Sequence, residues 1–260
     1  MDAAGLSTIF PVHLGRLFDT TPALGSERGA SWWAVLTGEE HTDLNQCALL
    51  EGATVCDADA LIRSISEAGV PAVVSVGASV PVAATEPLRS AGMKTAPLPE
   101  PLMWCDSPPP TLDFDFDVLR VTTPEELASA HQLCAEAHAI DEAIVARVLA
   151  RDPAAGDRVT TWIAWDGHEP ISVVWFTHGD EIGVWEMMTP PRHRRRGAAR
   201  AVLTAALAAS WTDTTRGAFL WASPAGRHLY ESLGFVALDE PTIWYTPGHE
   251  AAALAVGQPA

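Results

Sequence analysis

Ile182-Gly-Val-Trp-Glu-Met-Met-Thr-Pro-Pro-Arg-His-Arg-Arg-Arg-Gly-Ala-Ala-Arg-Ala-Val-Leu-Thr-Ala-Ala-Leu-Ala-Ala-Ser-Trp211 is the stretch that decides the fold. An apolar strand-like run, Ile182 to Met188, ends in a Pro-rich break. A run of arginines follows, and Gly197-Ala198-Ala199 opens an unbroken helical pattern. A strand that passes through a tight turn into a helix N-terminus is a recipe for holding a phosphate. The free N–H groups of the first helical turn and the positive end of the helix dipole face the same anion. Small side chains at 197, 198 and 199 leave the backbone open to close approach.

The charge of the chain narrows the reading. Arg192, Arg194, Arg195, Arg196 and Arg200 are five of only sixteen basic residues in a chain of net charge −17, so the rest of the molecule repels nucleic acid. The cluster is a focused site for one small polyanion. No Gly-Lys-[Ser/Thr] follows it, which excludes a P-loop, and a Gly-x-Gly-x-x-Gly dinucleotide fingerprint is absent.

Arg194-Arg-Arg-Gly-Ala-Ala199 resembles the [Gln/Arg]-x-x-Gly-x-[Gly/Ala] element with which the GNAT superfamily of acyl-CoA-dependent N-acyltransferases binds pyrophosphate. Some twenty residues on, Gly217 to Ala222 reads as a buried strand and Pro224 to Leu233 as a short helix. Ser223 is placed to cap that helix, and Gly234 to stop it. His228-Leu-Tyr-Glu-Ser-Leu-Gly-Phe235 is similar to the Leu-Tyr-x-x-Leu-Gly-Phe signature that closes GNAT domains. The resemblance implies an α/β (α+β) fold, a mixed, mostly antiparallel central sheet flanked by helices.

The surrounding segments fit that order. Asp117 to Val121 is a strand, and Thr122-Thr-Pro-Glu-Glu126 signals a helix start. A second helix is expected over about Asp141 to Ala150. Thr160 to Trp165 and Ile171 to Thr177 are strands joined through Asp166-Gly167. A last strand is expected near Thr242 to Tyr245. Upstream, Trp32 to Leu36, Gln46 to Leu50 and Ala72 to Val76 read as strands, and Ala58 to Ala68 and about Val82 to Ser90 as helices. That succession echoes the C-terminal half without an Arg-x-x-Gly-x-Ala turn. A degenerate GNAT-like first domain that does not bind CoA is therefore expected, in a tandem arrangement; an unrelated α/β domain is the alternative.

The expected division is 1–105 for that first domain, 106–116 for a Pro-rich linker, 117–248 for a catalytic acetyltransferase domain and 249–260 for a tail. The six prolines between 97 and 110 read as a stiff connector or edge segment, with Met103 and Trp104 packing down. No apolar run is long enough for a membrane span and no signal segment opens the chain, so a cytoplasmic protein, monomer or homodimer, is expected. Cys47, Cys56, Cys105 and Cys134 have no metal-ligand spacing; they read as buried, reduced thiols, and no metal site is expected.

Acyl transfer from a thioester to an amine needs a proton acceptor, help for the tetrahedral oxyanion, and an acid for the departing thiolate. The resemblance assigns acetyl-CoA as co-substrate. It implies contacts with it from Met188, Thr189, Arg194, Arg195, Arg196, Gly197, Ala198, Ala199, Arg200, Ser223 and Tyr230. Tyr230 matches the family's general-acid tyrosine, and also reads as packing beside the CoA arm. Glu186 stands where many members carry a base; its alternatives are an ammonium anchor and a solvent-facing edge residue. A lone Glu between Trp185 and Met187 is costly to bury without such a role. His138, Asp141 and Glu142, at the junction that walls the acceptor site in this fold, are the substrate candidates. An acidic chain attracts cations, so a small cationic amine is the expected acceptor. The rival reading is a non-catalytic acyl-CoA-binding regulatory or interaction module.

Overall fold

A computed structural model describes residues 1–19, 21, 25–95, 100–110, 112–151, 153, 158–240 and 242–249. The expectations for Pro97, Pro99 and the tail from residue 250 concern residues outside these. The chain forms two compact units. One comprises Met1–Leu102, Ala222–Gly226 and Ala237–Ala260, the other Met103–Trp221 and Arg227–Val236.

The first unit opens with helix α1 (Ala3–Leu17), capped by the Asp2 side chain on the Gly5 N–H. Strands β1 (Gly25–Arg28), β2 (Trp32–Leu36) and β3 (Asn45–Leu49) follow, then helix α2 (Val55–Ala68) and strand β4 (Val73–Val76). Short helix α3 (Glu86–Ser90) and strand β5 (Lys94–Thr95) come next. β1, β2 and β3 pair antiparallel, and β3 pairs parallel with β4. A parallel pair needs a crossover, and α2 supplies it. The sequence dictates the bounds of α2: Thr54 and Asp57 form a reciprocal capping box, and Gly69 at φ 66° ends the helix. Its inner face, Ala58, Leu61 and Ile65, packs on Leu49, Val74 and Leu88.

In the second unit's sheet, strand β6 (Leu102–Cys105) is followed by β7 (Asp117–Arg120), helices α4 (Pro124–His138) and α5 (Glu142–Val148), and strands β8 (Val159–Asp166), β9 (Glu169–His178) and β10 (Glu181–Met188). Helix α6 (Ala198–Ser210), strand β11 (Gly217–Trp221), short helix α7 (Arg227–Ser232) and strand β12 (Val236–Asp239) complete the order. The strands run β12-β6-β11-β10-β9-β8-β7 across the sheet. β7 to β10 form an antiparallel meander, and β10 pairs parallel with β11. The fold is the expected α/β type, mixed sheets flanked by helices.

Several expectations are corrected. The strand at Thr242–Tyr245 (β13) does not close the second sheet. It lies in the first, antiparallel to both β4 and β5. The strand that follows α7 is β12, which the sequence pattern did not announce. The Pro-rich stretch contributes β6, a fully buried strand inside the second sheet rather than a connector or an edge. Gly217 on β11 shows how closely β6 packs, because a Cβ there would fall 2.0 Å from the Trp104 indole. α7 starts at Arg227, later than expected. Ser223 accepts the Gly226 N–H at 3.3 Å as a cap would, but the turn it closes is not yet α-helical, and the Ala222–Gly226 stretch belongs to the first unit. Cys47, Cys105 and Cys134 are buried, whereas Cys56 is exposed.

Candidate active site

The middle of the second sheet opens at one place. β10 and β11 are in register from Glu181↔Gly217 to Val184↔Leu220, and their pairing ends there although β10 continues to Met188. On its other side β10 slips against β9 between Trp185 and Met188, a β-bulge. The bulge residue is Glu186, at φ 44°, a left-handed conformation that costs an L-residue roughly 1–2 kcal/mol. At the bulge the Glu186 carboxylate reaches the end of α4, where its Oε2 lies 3.0 Å from His138 Nε2. Both side chains keep a little over a quarter of their surface exposed.

His138 sits in the last turn of α4, which ends on Ala139 at φ 55°. Asp141 then caps α5, accepting the Ala143 N–H at 2.7 Å, and Glu142 follows, exposed, in the first turn. The α4–α5 junction thus meets the bulge through His138, while the Asp141 carboxylate serves its own helix. One turn upstream of His138, burial and the Glu186 carboxylate push the Cys134 thiol well above its usual range, so it stays protonated.

Beyond the bulge, Pro191–His193 forms a single 3-10 turn. Arg195 (φ 66°) and Gly197 (φ 86°) are both left-handed, and Gly197 is the N-cap of α6 without any side-chain cap. The first ladder bond of α6 runs from Ala201 N–H to Gly197 C=O, so the N–H groups of Ala198, Ala199 and Arg200 precede it. This helix end presents backbone donors beside arginines, which is the donor set a pyrophosphate needs. The arginines are not equivalent. Arg192 is held by Glu136 and lies 3.9 Å from Glu169. Arg196 pairs with Asp166 and lies over the Phe116 ring. Arg194 donates to Thr189 C=O at 3.1 Å, and Arg200 donates to Ser232 Oγ at 2.7 Å. Arg195 is exposed. His193 is buried 3.4 Å from Glu169, its pKa lowered by burial and by Arg192.

Tyr230 is buried and packs edge-on against Phe235, ring centroids 6.1 Å apart. Burial raises its phenol far above the ordinary value, so it carries its proton at neutral pH. Trp175 and Trp185 belong to the core, whereas Trp162 and Trp165 are half-buried. Among the described residues no cluster of His, Cys, Asp or Glu is arranged to hold a metal, and no helix is long and apolar enough to cross a membrane.

Sequence reasoning did not find Ser172. This buried β9 residue bonds to Met188 and Thr189 just past the bulge. A serine between Ile171 and Val173 in an otherwise apolar strand was the available signal.

The sheet, with a strand that bulges and parts from a parallel neighbour ahead of a helix with an uncapped small-residue N-terminus, has a fold of the GNAT type. Residues 157–237 match the family model of the acetyltransferase (GNAT) domain. The chain is similar in structure to a GCN5-related N-acetyltransferase from Kribbella flavida, with 17% identity and a TM-score of 0.66 over 96% of this chain and 97% of that one. It is also similar to a tandem GNAT protein from the clavulanic acid biosynthesis pathway (11%, 0.57, 94% and 96%). A third is a GCN5-related N-acetyltransferase from Sphaerobacter thermophilus (13%, 0.54, 83% and 76%). At these identities the likeness speaks for the fold, and it extends over both units. No curated protein sequence matches the chain significantly.

Proposed function

We propose that the second unit transfers an acetyl group from acetyl-CoA directly to the primary amine of a small cationic molecule, with both substrates bound together. The observation that carries this reading is the parting of β10 from β11 beside the uncapped N-terminus of α6. A phosphate-binding helix end and a strand with unpaired backbone next to it suit a long thioester with a pyrophosphate at one end.

Acetyl-CoA supplies the activated acyl group. The N–H groups at the start of α6, with Arg194, Arg195 and Arg200, hold the pyrophosphate. The backbone at Met188 and Thr189 faces the acyl carbonyl. Glu186, beside His138, takes the proton that the attacking amine loses as its nitrogen bonds to the acyl carbon. When the carbon–sulfur bond breaks, Tyr230 gives its proton to the leaving sulfur. Asp141 and Glu142 add negative charge at the acceptor side and favour a cation. The exclusion of nucleic acid rests on the same acidity.

Calorimetric titration with acetyl-CoA tests the reading, wild type beside Gly197→Glu. The variant puts a carboxylate and a strained φ into the cradle. Saturable binding that the variant loses, followed by thiol release with an amine panel, is expected. Binding without thiol release for any amine would favour the non-catalytic acyl-CoA-binding module instead.

A further inference from the structure

We propose that Ser172 is a positioning residue for acyl transfer, fixing the Met188–Thr189 peptide so that the Thr189 N–H points at the thioester carbonyl oxygen. The inference rests on the acyltransferase reading and adds to it a side chain that touches no substrate.

Ser172 lies in the middle of β9 and is fully buried, between Ile171 and Val173, which are equally buried. An apolar residue would fill this position at no polar cost, so a hydroxyl here needs partners. It has two, and both lie where β10 resumes its register after the bulge. Ser172 Oγ donates to Met188 C=O at 3.0 Å and lies 2.8 Å from Thr189 Oγ1. A serine has one hydroxyl proton. With that proton on Met188 C=O, the Thr189 hydroxyl is the donor of the second bond. Thr189 is held from the other end as well, because its own C=O accepts from Arg194 Nε at 3.1 Å.

The consequence follows from peptide geometry. The chain has no cis peptide among its described residues, and in a trans peptide C=O and N–H point in opposite directions. Ser172 holds the Met188 C=O toward β9. The Thr189 N–H therefore points away from β9, to the side of β10 on which pairing with β11 has ended. A donor fixed before the reaction begins costs no reorganisation when the oxyanion forms, whereas a peptide free to swing would have to be oriented first. Arg194 ties the same residue to the phosphate-binding turn, so the two ends of the acyl donor are gripped by one short, braced segment.

Infrared difference spectroscopy of acetyl-CoA carrying 13C at the thioester carbonyl reads this polarisation without any amine acceptor. The full-length chain is compared as wild type, Ser172→Ala and Thr189→Val. The second variant removes the hydroxyl that completes the clamp but keeps the N–H. In the wild type the bound carbonyl band moves to lower wavenumber. In Ser172→Ala at least about half of that shift is lost while acetyl-CoA affinity changes by less than about threefold, and Thr189→Val loses a smaller part. With an amine acceptor, kcat falls about tenfold at unchanged KM for acetyl-CoA. If Ser172→Ala does not fold, Thr189→Val alone decides. A full wild-type shift in the folded variants, or bound acetyl-CoA with no shift in the wild type, overturns the positioning role and leaves the acyltransferase reading standing. No binding by the wild type overturns both.

Discussion

His138 Nε2 and Glu186 Oε2 stand 3.0 Å apart, and the residue that brings the carboxylate there holds a backbone angle, φ 44°, that glutamate avoids. A pair this exposed contributes at most about 1 kcal/mol to stability, less than the strain at Glu186 costs. The arrangement therefore costs the fold more than it returns, as expected if the proposed proton-acceptor role of Glu186 holds. Glu186→Gln is expected to lower kcat about 100-fold with little change in acetyl-CoA affinity, and His138→Asn about tenfold. Under the proposed coupling of the two, the double variant should be little worse than Glu186→Gln alone. Additive losses in thiol-release kinetics would show that they act separately.

Strain at the bulge leads to a second expectation. Glu186→Gly frees the φ restriction, and the gain is partly offset by the flexibility glycine adds to the unfolded chain. The variant should melt no lower than the wild type while losing most of its turnover. A melting midpoint lowered by more than about 5 °C, well over 1 kcal/mol, would mean the carboxylate is a structural element after all.

The arginine run stood out in sequence as a candidate anion site, but the partners of its members did not. Arg192 and Arg196 are engaged by Glu136 and Asp166, carboxylates 56 and 30 positions away. No local pattern reveals such partners. Arg195→Glu is expected to weaken acetyl-CoA binding about tenfold or more, and Arg196→Ala by no more than about threefold. Equal losses in calorimetry would mean that Asp166 releases Arg196 to the ligand.

What sequence could show was set by the range of its signals. Caps, glycine stops and apolar periodicity act within a few residues, so α2, α4, α6 and the β8–β9 hairpin were readable. Partner choice between strands acts over the whole chain. Thr242–Tyr245 was correctly seen as a strand, but the sheet that receives it, beside β4, could not be read from the segment itself. β6 was hidden by the prolines that flank it, Pro101 and Pro108, although Trp104 marked it as a packed segment. α1 escaped because Pro11 lies inside it. Of the candidate site, Glu186, His138 and the turn were named from sequence, whereas the bulge, the 48-residue reach of the His138–Glu186 contact and the Ser172 hydrogen bonds exist only in the folded chain.

In the second unit, the fit of Trp104 against Gly217 gives a direct test of β6. Gly217→Ala places a methyl where the indole already lies, and the nearest atoms belong to a large ring that must move as a whole. A loss of about 2–4 kcal/mol is expected in denaturant melts. Trp104→Phe together with Gly217→Ala should recover part of that loss. A neutral Gly217→Ala would contradict the packing of β6 on β11.

Glu100 in the first unit gives a pH signature. Burial, aided by the Asp43 carboxylate, pushes it from 4.5 up to about 7. The folded chain then holds a proton that the unfolded chain releases above about pH 4.5. Stability from this group is present below pH 4.5, falls as pH rises toward 7, and levels off above it. Glu100→Gln should therefore melt higher than the wild type at pH 8 and equally at pH 4. The same difference at both pH values would mean that Glu100 does not titrate in this window.

The two crossover helices differ at their N-termini, and the difference predicts how many acetyl-CoA molecules one chain binds. α6 begins on Gly197 with no side-chain cap. α2 begins on Thr54, whose backbone N–H and hydroxyl both donate to Asp57 Oδ2, at 2.8 and 2.6 Å, while Thr54 Oγ1 accepts the Asp57 N–H. These bonds from Thr54 hold the Asp57 carboxyl below its usual pKa, so at neutral pH the α2 end already carries a negative charge, and its Asp57 N–H is taken by Thr54 Oγ1. A pyrophosphate there would meet the repulsion of that carboxylate. Titration should give one acetyl-CoA per chain, abolished by Gly197→Glu and unaffected by Asp57→Asn. Two sites per chain, or a residual site in Gly197→Glu, would show that the first unit has kept a cradle that its capping box was expected to close.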